Sequence, residues 1–444
     1  MIVLKFGGTS VQDAEHMNRV IEITRKQIDR TPLLISSAMS KITDSLVEIT
    51  RISEKGSKDD CFAVLDEIIR RHEDTAKAFL SGDNLTEALD SLNLYFDEMR
   101  AFVTGLIMLR ECSLRSQDTL LSYGELLSTT LLYYRCKEQG IDSQLLDSRD
   151  LVVTDETFTS AVPFTDITYK NIKSKVKPRT GAITIGQGFI ARTKNGAVST
   201  LGRGGSDYSA TLFGAALKAE EVQIWTDVDG IMSSDPRIVD NARTIDKISY
   251  NEAAELAYFG AKVVHPSTIQ PAVELGIPVL VKNTMNPEGN FTAIIGESEK
   301  QGLRAIAGKK NITLLNVSSS RMLNAYGFLN RIFSIFDKYR TPVDLIATSE
   351  VSVSMTIDDS ASIKEIIKDL DEIGTSNYEP DMAIICLVGQ DFWKDPSLIS
   401  RVFKALIDVP VRMISLGSSD INLSLVVPQK LLHNSIQKLH NEFF

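Results

Sequence analysis

Apolar positions along this chain follow two rhythms. Ile2-Val3-Leu4 is a short continuous run ending at Lys5-Phe6-Gly7-Gly8, whereas Met17, Val20, Ile21, Thr24 and Ile28 fall on one face at helical spacing. Pro32-Leu33-Leu34-Ile35-Ser36-Ser37 is a second short run of buried character. Strand, helix, strand in that order predicts a β-α-β unit, and hence a parallel sheet in an α/β fold. From about 44 to 139 the pattern is almost wholly helical, with few glycines and repeated apolar steps such as Leu120, Tyr123, Leu127 and Leu131. Such a block suits a helical insertion covering a substrate pocket. Strands return over 144–146, over 182–185 and, after a hairpin around Asn195-Gly196, over 197–200. A helix over 206–218, a strand over 222–225, helices near 250–260 and 266–275, and a strand over 277–281 complete a first domain near 290.

Beyond Pro287-Glu288-Gly289 the texture changes to short strands separated by single helices. Strands are predicted over 312–317 and 351–357 around a helix over 327–339, then over 384–388 and 422–427 around a helix over 398–406. The recurrence predicts two copies of a small α+β module. Neither copy carries an evident catalytic cluster, which points to regulation or assembly.

The 444-residue length fits two to three domains. A net charge of -10 argues against nucleic acid or an anionic membrane as a partner, because both demand a basic face. Cys61, Cys112, Cys136 and Cys386 form neither a C-x-x-C pair nor a metal-ligand spacing with the five histidines, and read as reduced thiols. No charged leader precedes an apolar stretch and no apolar run approaches about 18 residues. The expected compartment is the cytoplasm, with an organelle stroma after processing as the alternative.

Several glycine-bearing segments are candidates for chemistry. Lys5, Gly7 and Gly8 follow the first strand, where freed backbone N–H groups and one ammonium suit a polyphosphate; an ordinary turn is the competing reading. The G-x-x-x-x-G-K-[ST] pattern is absent, so a nucleotide site would belong to another architecture. Thr200-Leu201-Gly202-Arg203-Gly204-Gly205-Ser206-Asp207 lies between a strand and a helix, with Arg203 placed for carboxylate or phosphate and Asp207 expected as a helix cap. Ser37-Ala38-Met39-Ser40-Lys41-Ile42-Thr43 again leads from strand to helix. Thr226-Asp227-Val228-Asp229 ends a strand, Lys262 follows Gly260-Ala261, and Glu125 sits on an otherwise apolar helical stretch. For these the alternatives are a turn, a surface charge and a core-edge salt bridge. His265 before Pro266 reads as a helix boundary.

Taken together, KFGGTS, SSAMSKITD, SYGELLS, TLGRGGSDYSA, WTDVDGI, SDPR, FGAKVVHP and TSEVSVS resemble, in this order and over essentially the entire chain, the aspartate kinases of the monofunctional, lysine-sensitive class. The resemblance implies an amino-acid-kinase fold, an open and mostly parallel sheet between helices, over 1–290. It implies two ACT modules after it, one over 312–381 and a discontinuous one over 296–311 plus 382–444. It implies transfer of the ATP γ-phosphoryl group to the side-chain carboxylate of L-aspartate, opening the route to lysine, threonine, methionine and diaminopimelate. Mg²⁺ would enter with ATP, with no protein side chain identified as its ligand. Lys5 and Asp207 would be catalytic. Lys5, Gly7, Gly8, Ser37, Thr226, Asp227, Met232, Arg237 and Lys262 would hold ATP. Ser37, Ala38, Thr43, Glu125, Arg203, Gly204, Gly205 and Ser206 would hold aspartate, Glu125 at its ammonium and Arg203 at its α-carboxylate. L-Lysine would bind at Met322, Ala325, Phe328, Leu329, Val343, Asp344, Ser349 and Glu350, in a homodimer or dimer of dimers joined by ACT modules. Met232 replaces a frequent tyrosine, Ser40 a frequent glycine, and Ala325 a serine of some lysine-sensitive relatives. An inactive amino-acid sensor and another amino-acid kinase are the competing functions.

Overall fold

The computed structural model describes residues 1–260, 263–296, 302–322, 326–417 and 420–444, with the side chains of Arg321 and Trp393 left aside. The chain forms two compact units, Met1–Ile231 with Val263–Glu297, and Met232–Lys262 with Ser298–Phe444.

The first unit begins with β1 (Ile2–Phe6), α1 (Ala14–Arg25) and β2 (Pro32–Ser36), then the four helices α2 (Ile42–Glu54), α3 (Lys58–Phe79), α4 (Gly82–Leu109) and α5 (Leu114–Glu138). It continues through β3 (Ser143–Leu145), β4 (Val153–Thr154), α6 (Thr165–Lys175), β5 (Ile183–Gln187), β6 (Ile190–Thr193), β7 (Val198–Thr200), α7 (Gly205–Leu217) and β8 (Val222–Thr226). After β9 (Lys247–Ser249) and α8 (Tyr250–Phe259), which belong to the second unit, it ends with α9 (Pro266–Val273), β10 (Val279–Asn283) and β11 (Thr292–Ile295). Its main sheet runs β3-β5-β2-β1-β8-β10-β11, parallel except for the β10–β11 pair. Strands buried on both faces must be continuously apolar, and β2 is buried at every position.

The helix α1 starts where Asp13 accepts the His16 backbone N–H at 3.0 Å. Its Met17, Val20 and Ile21 join a core shared with Leu46, Leu65, Leu92 and Leu127 of α2 to α5. The helix α5 is buried nearly all round, including the polar Asp118, Glu125, Ser128, Thr129 and Thr130. Thr129 and Thr130 satisfy their hydroxyls on the carbonyls of Glu125 and Leu126, one turn back.

The second unit continues with β12 (Gly302–Ser318), α10 (Phe328–Lys338), β13 (Ile346–Thr348), β14 (Ser352–Ile357), α11 (Ile363–Asp371), β15 (Thr375–Gln390), α12 (Pro396–Ala405), β16 (Met413–Leu416), β17 (Asn422–Pro428) and α13 (Leu432–Phe443). Its antiparallel sheet has the order β13-β14-β12-β15-β17-β16. Two separate cores pack on it. One gathers Leu315, Phe328, Ile332, Val353 and Ile366, and the other Ile306, Ile385, Leu398, Val402, Leu425 and Ile436. The strand predicted over 312–317 is the second half of the 17-residue β12. Sequence alternation breaks at the exposed Lys310 and Asn311, where the strand passes from one core to the other. There Asn311 (φ 61) and, on β15, Asp381 (φ 56) are both left-handed, and the register shifts between Lys309 and Ile312.

All four cysteines are unpaired. Among the described residues, no helix is long and apolar enough to cross a membrane.

Candidate active site

The C-terminal ends of β1 and β2 face the start of α7 and the middle of α5, the usual ligand position in an open parallel sheet. Lys5, the fourth residue of β1, directs its ammonium at Asp207, with Nζ and Oδ1 2.7 Å apart and only 12% and 10% of the side chains exposed. A Cβ on Gly7 would come within 3.6 Å of that nitrogen, and one on Gly8 within 3.0 Å of the Ala38 carbonyl. Glycine therefore lets the loop after β1 close on the loop after β2. The Ser40 N–H donates to Gly8 O at 3.0 Å, and the Ser37 N–H to Phe6 O at 3.1 Å.

The expectation that Asp207 caps its helix is corrected. The N-cap of α7 is Gly204, at φ 70, and no side chain caps this end. Asp207 lies in the first turn, and its carboxylate is turned to Lys5. Both roles suit an aspartate in a first helical turn, and the neighbouring strand decides between them.

Gly124 brings α5 against the second loop, since a Cβ there would lie 2.8 Å from the Ala38 Cβ. Glu125 then accepts the Ala38 N–H at 3.1 Å through Oε1, while its buried Oε2 has no hydrogen-bond partner. Burial pushes this carboxyl up to about 8, against the pull of the Ala38 N–H. The surrounding cavity has a volume of about 420 Å³ and is lined by Lys5, Gly8, Ser37, Ala38, Thr43, Glu125, Gly204, Gly205, Ser206 and Asp207, among others. One cavity thus holds a cation, an acid with an unpartnered oxygen, and glycine-rich loops.

Gly7 and Arg203 adjoin this lining without forming part of it, and Arg203 is exposed on its turn. Thr226 ends β8 and donates to Asp227 at 3.2 Å, with Asp227 exposed. Met232 and Arg237 belong to the second unit. Met232 bridges to Thr244, and Arg237 forms a fork on the Asp235 carboxylate. Lys262 and Ala325 lie outside the described residues.

Of the regulatory candidates, Phe328 is buried at the start of α10, Met322 and Val343 are half-buried, and Leu329, Ser349 and Glu350 are exposed. Asp344 is 1% exposed at its side chain; it accepts from Lys309 Nζ at 3.1 Å and from the Tyr258 hydroxyl. A polar hollow of about 600 Å³ lies nearby in sequence, lined by Ser318, Ser319, Ser320, Val351 and residues 371–375.

Sequence reasoning missed Arg71. From α3 it donates to Ser40 O at 2.6 Å and Gln12 O at 2.8 Å, tying the ends of both loops. A lone arginine on an amphipathic helix carries no periodic or motif signal, so only the tertiary contact reveals it.

Residues 1–283 match the amino acid kinase family and residues 385–443 match an ACT domain family. The lysine-sensitive aspartokinase 3 of Escherichia coli is 36% identical over 459 residues, covering 100% of this chain and 99% of that protein. Chloroplastic aspartokinase 1 of Arabidopsis thaliana is 34% identical, covering 100% of this chain and 80% of that one. Among solved structures, E. coli aspartokinase III in complex with aspartate and ADP superposes with a TM-score of 0.82 at 35% identity, covering 100% and 99% of the two chains. Clostridium acetobutylicum aspartate kinase superposes at 0.86 with 28% identity, covering both chains fully. With the glycine loops, the Lys5–Asp207 pair and the buried Glu125 in one cavity of an α/β unit, and with ACT sequence in the unit that follows, this chain belongs to the aspartokinases of the amino acid kinase family.

Proposed function

We propose that the protein transfers the γ-phosphoryl group of ATP to the side-chain carboxylate of L-aspartate, giving 4-phospho-L-aspartate. The observation that carries this is the single cavity in which Lys5 is paired to Asp207 while Glu125 presents a buried, unpartnered Oε2. The attacking carboxylate is ionised near pH 7, so no general base is needed. The obstacle is repulsion between two anions that must meet in line, and the remedy is positive charge and fixed N–H groups where they meet. Lys5 supplies the charge and Asp207 holds it in place. Gly8 offers its N–H to the transferring phosphoryl and Ser37 its hydroxyl, while the Gly7 and Ser37 N–H groups, held by the Trp225 and Phe6 carbonyls, fix the two loops beside it. Glu125 takes the α-ammonium of aspartate, Arg203 swings from its exposed turn to the α-carboxylate, and Ala38, Thr43, Gly204, Gly205 and Ser206 complete the substrate walls. Thr226 and Asp227, at the end of β8, line the nucleotide.

ATP enters as its magnesium complex, the ion neutralising phosphate charge.

The chain divides functionally into a catalytic domain over 1–290, an ACT module over 312–381, and a second over 296–311 plus 382–444. The two separate cores support that division. Feedback inhibition by L-lysine acts at Met322, Ala325, Phe328, Leu329, Val343, Asp344, Ser349 and Glu350. That Asp344 already accepts the ammonium of Lys309 supports its preference for such a group. The enzyme works in the cytoplasm as a homodimer through its ACT modules; exposed Ile346, Ile414 and Leu416 on the two edge strands support such an association. Release of ADP, measured with aspartate or glutamate and with or without lysine, tests the assignment. Turnover with aspartate alone, suppressed by lysine, is the expected result. Turnover with glutamate instead, or none at all, would sink it.

A further inference from the structure

Two carboxylates are buried on α5, Asp118 and Glu125. Their spacing returns them to nearly the same side of the helix, roughly 10 Å apart along its axis. Glu125 lines the cavity and Asp118 does not. Asp118 is fully buried. Its Oδ1 accepts the Thr200 hydroxyl at 2.7 Å, and its Oδ2 accepts the backbone N–H groups of Thr200 and Thr159, each at 2.9 Å.

Those two threonines flank the Arg203 turn. Thr200 is the last residue of β7, directly before Leu201-Gly202-Arg203. Thr159, itself at φ 70, lies against Gly202, where a Cβ would come within 2.9 Å of its carbonyl. The Ala161 N–H donates to Thr200 O at 2.9 Å, closing the two segments on each other. A carboxylate removed from water is costly, and these donors offset the cost only while both segments keep this arrangement.

We propose that Asp118 is a positioning residue for substrate recognition. Through it α5 fixes the turn bearing Arg203, and through Glu125 the same helix fixes the ammonium subsite. One rigid element thereby sets the separation between the two grips on an α-amino acid, and with it the preference for substrates that carry both the α-ammonium and the α-carboxylate. This inference rests on the cavity being the aspartate site.

The test compares Asp118→Ala, Asp118→Asn and Thr200→Val with the native full-length protein. In Asp118→Asn the amide oxygen still accepts both N–H groups and the amide nitrogen donates to the Thr200 hydroxyl, so near-native behaviour is expected. Asp118→Ala should raise the aspartate KM by about tenfold to 10²-fold while the ATP KM stays within about twofold. Its kcat/KM preference for L-aspartate over the α-amide of aspartate should fall by about tenfold, whereas the preference over succinate, which reports the Glu125 grip, is retained. Thr200→Val, which removes only the hydroxyl bond, should fall between. Hydrogen exchange at the Thr159 and Thr200 amides should accelerate in Asp118→Ala without any substrate present. Native protein that fails to phosphorylate aspartate overturns the cavity assignment and this inference with it. Native protein that phosphorylates aspartate, while Asp118→Ala keeps the native aspartate KM or raises both KM values equally, overturns this inference alone. Should the alanine variant fail to fold, Thr200→Val with unaltered KM and amide exchange has the same force.

Discussion

Glu125 illustrates how one side chain links binding to protons. Its carboxyl is raised from 4.5 to about 8 because burial disfavours the charged form. In the ligand-free protein it is therefore protonated at pH 7, whereas in the unfolded chain it is ionised. The folded state then binds the extra proton, so this group's contribution to stability falls as pH rises from about 4.5 to 8. An incoming ammonium reverses the preference. Binding of aspartate at pH 7 should release roughly one proton and should tighten as pH rises toward 8. Calorimetry in buffers of different ionisation enthalpy reads that proton directly, and Glu125→Gln should abolish it. Lys5 offers a contrasting case, since its charge has a partner before any ligand arrives. Lys5→Met should lower kcat by about 10²- to 10³-fold, the loss typical of one charge-stabilising donor. It should also lower stability by about 3–5 kcal/mol, because the buried Asp207 carboxylate is left alone. Stopped-time assays and denaturant titration separate the two effects, and the double replacement with Asp207→Asn should regain part of the stability without activity.

The loops after β1 and β2 meet α5 and α7 at distances that leave little slack, and the clearest case is Gly124. Replacement by alanine would set two methyl carbons 2.8 Å apart, forcing α5 away from Ala38. The expected cost is about 1–3 kcal/mol of stability from overpacking. A raised aspartate KM should accompany it as the Glu125 bond to Ala38 lengthens. A variant with normal kinetics and a native melting temperature would show that α5 has room to spare. Much of this arrangement was legible in the chain. Strand-to-loop junctions of glycine or small hydroxylated residues at Gly7, Ser37 and Gly204 marked where a parallel sheet presents ligands, and apolar periodicity marked α1 and α5. Less visible was what depends on distant neighbours. An aspartate in a first helical turn reads as a cap until a lysine from another strand is found opposite it. Arg71 and Asp118 are ordinary in their local patterns and take their meaning from carbonyls and N–H groups far along the chain. The length of β12 was hidden because its exposed middle residues interrupt the alternation that defines a strand.

The molecule joins a catalytic chemistry to ACT sequence, and the link to effector concentration has a testable handle within the second unit. Lys309 pairs with Asp344 at 3.1 Å and Asp358 at 2.9 Å, and lies 4.5 Å from the Tyr258 ring centre. An effector ammonium at Asp344 has to displace it. Lys309→Met should therefore move half-inhibition by lysine to a concentration about tenfold lower, since a buried carboxylate left unpaired seeks a new cation. Titration of activity with lysine checks this, and an unchanged or weaker response would place the effector elsewhere. The passage of β12 through both cores bears on how the protein is made. Gly302–Lys309 pairs with residues 384–390 of β15, so it leaves the ribosome long before its partner exists. The portion begun first is the portion finished last, while the segment between can assemble on its own during the wait. A nascent chain halted after Ile357 would hold this stretch on one side alone, where the Ile306 N–H donates to Ser233 O and the Ser234 hydroxyl to Ile306 O, and its other edge would stay open until residues 384–390 are made.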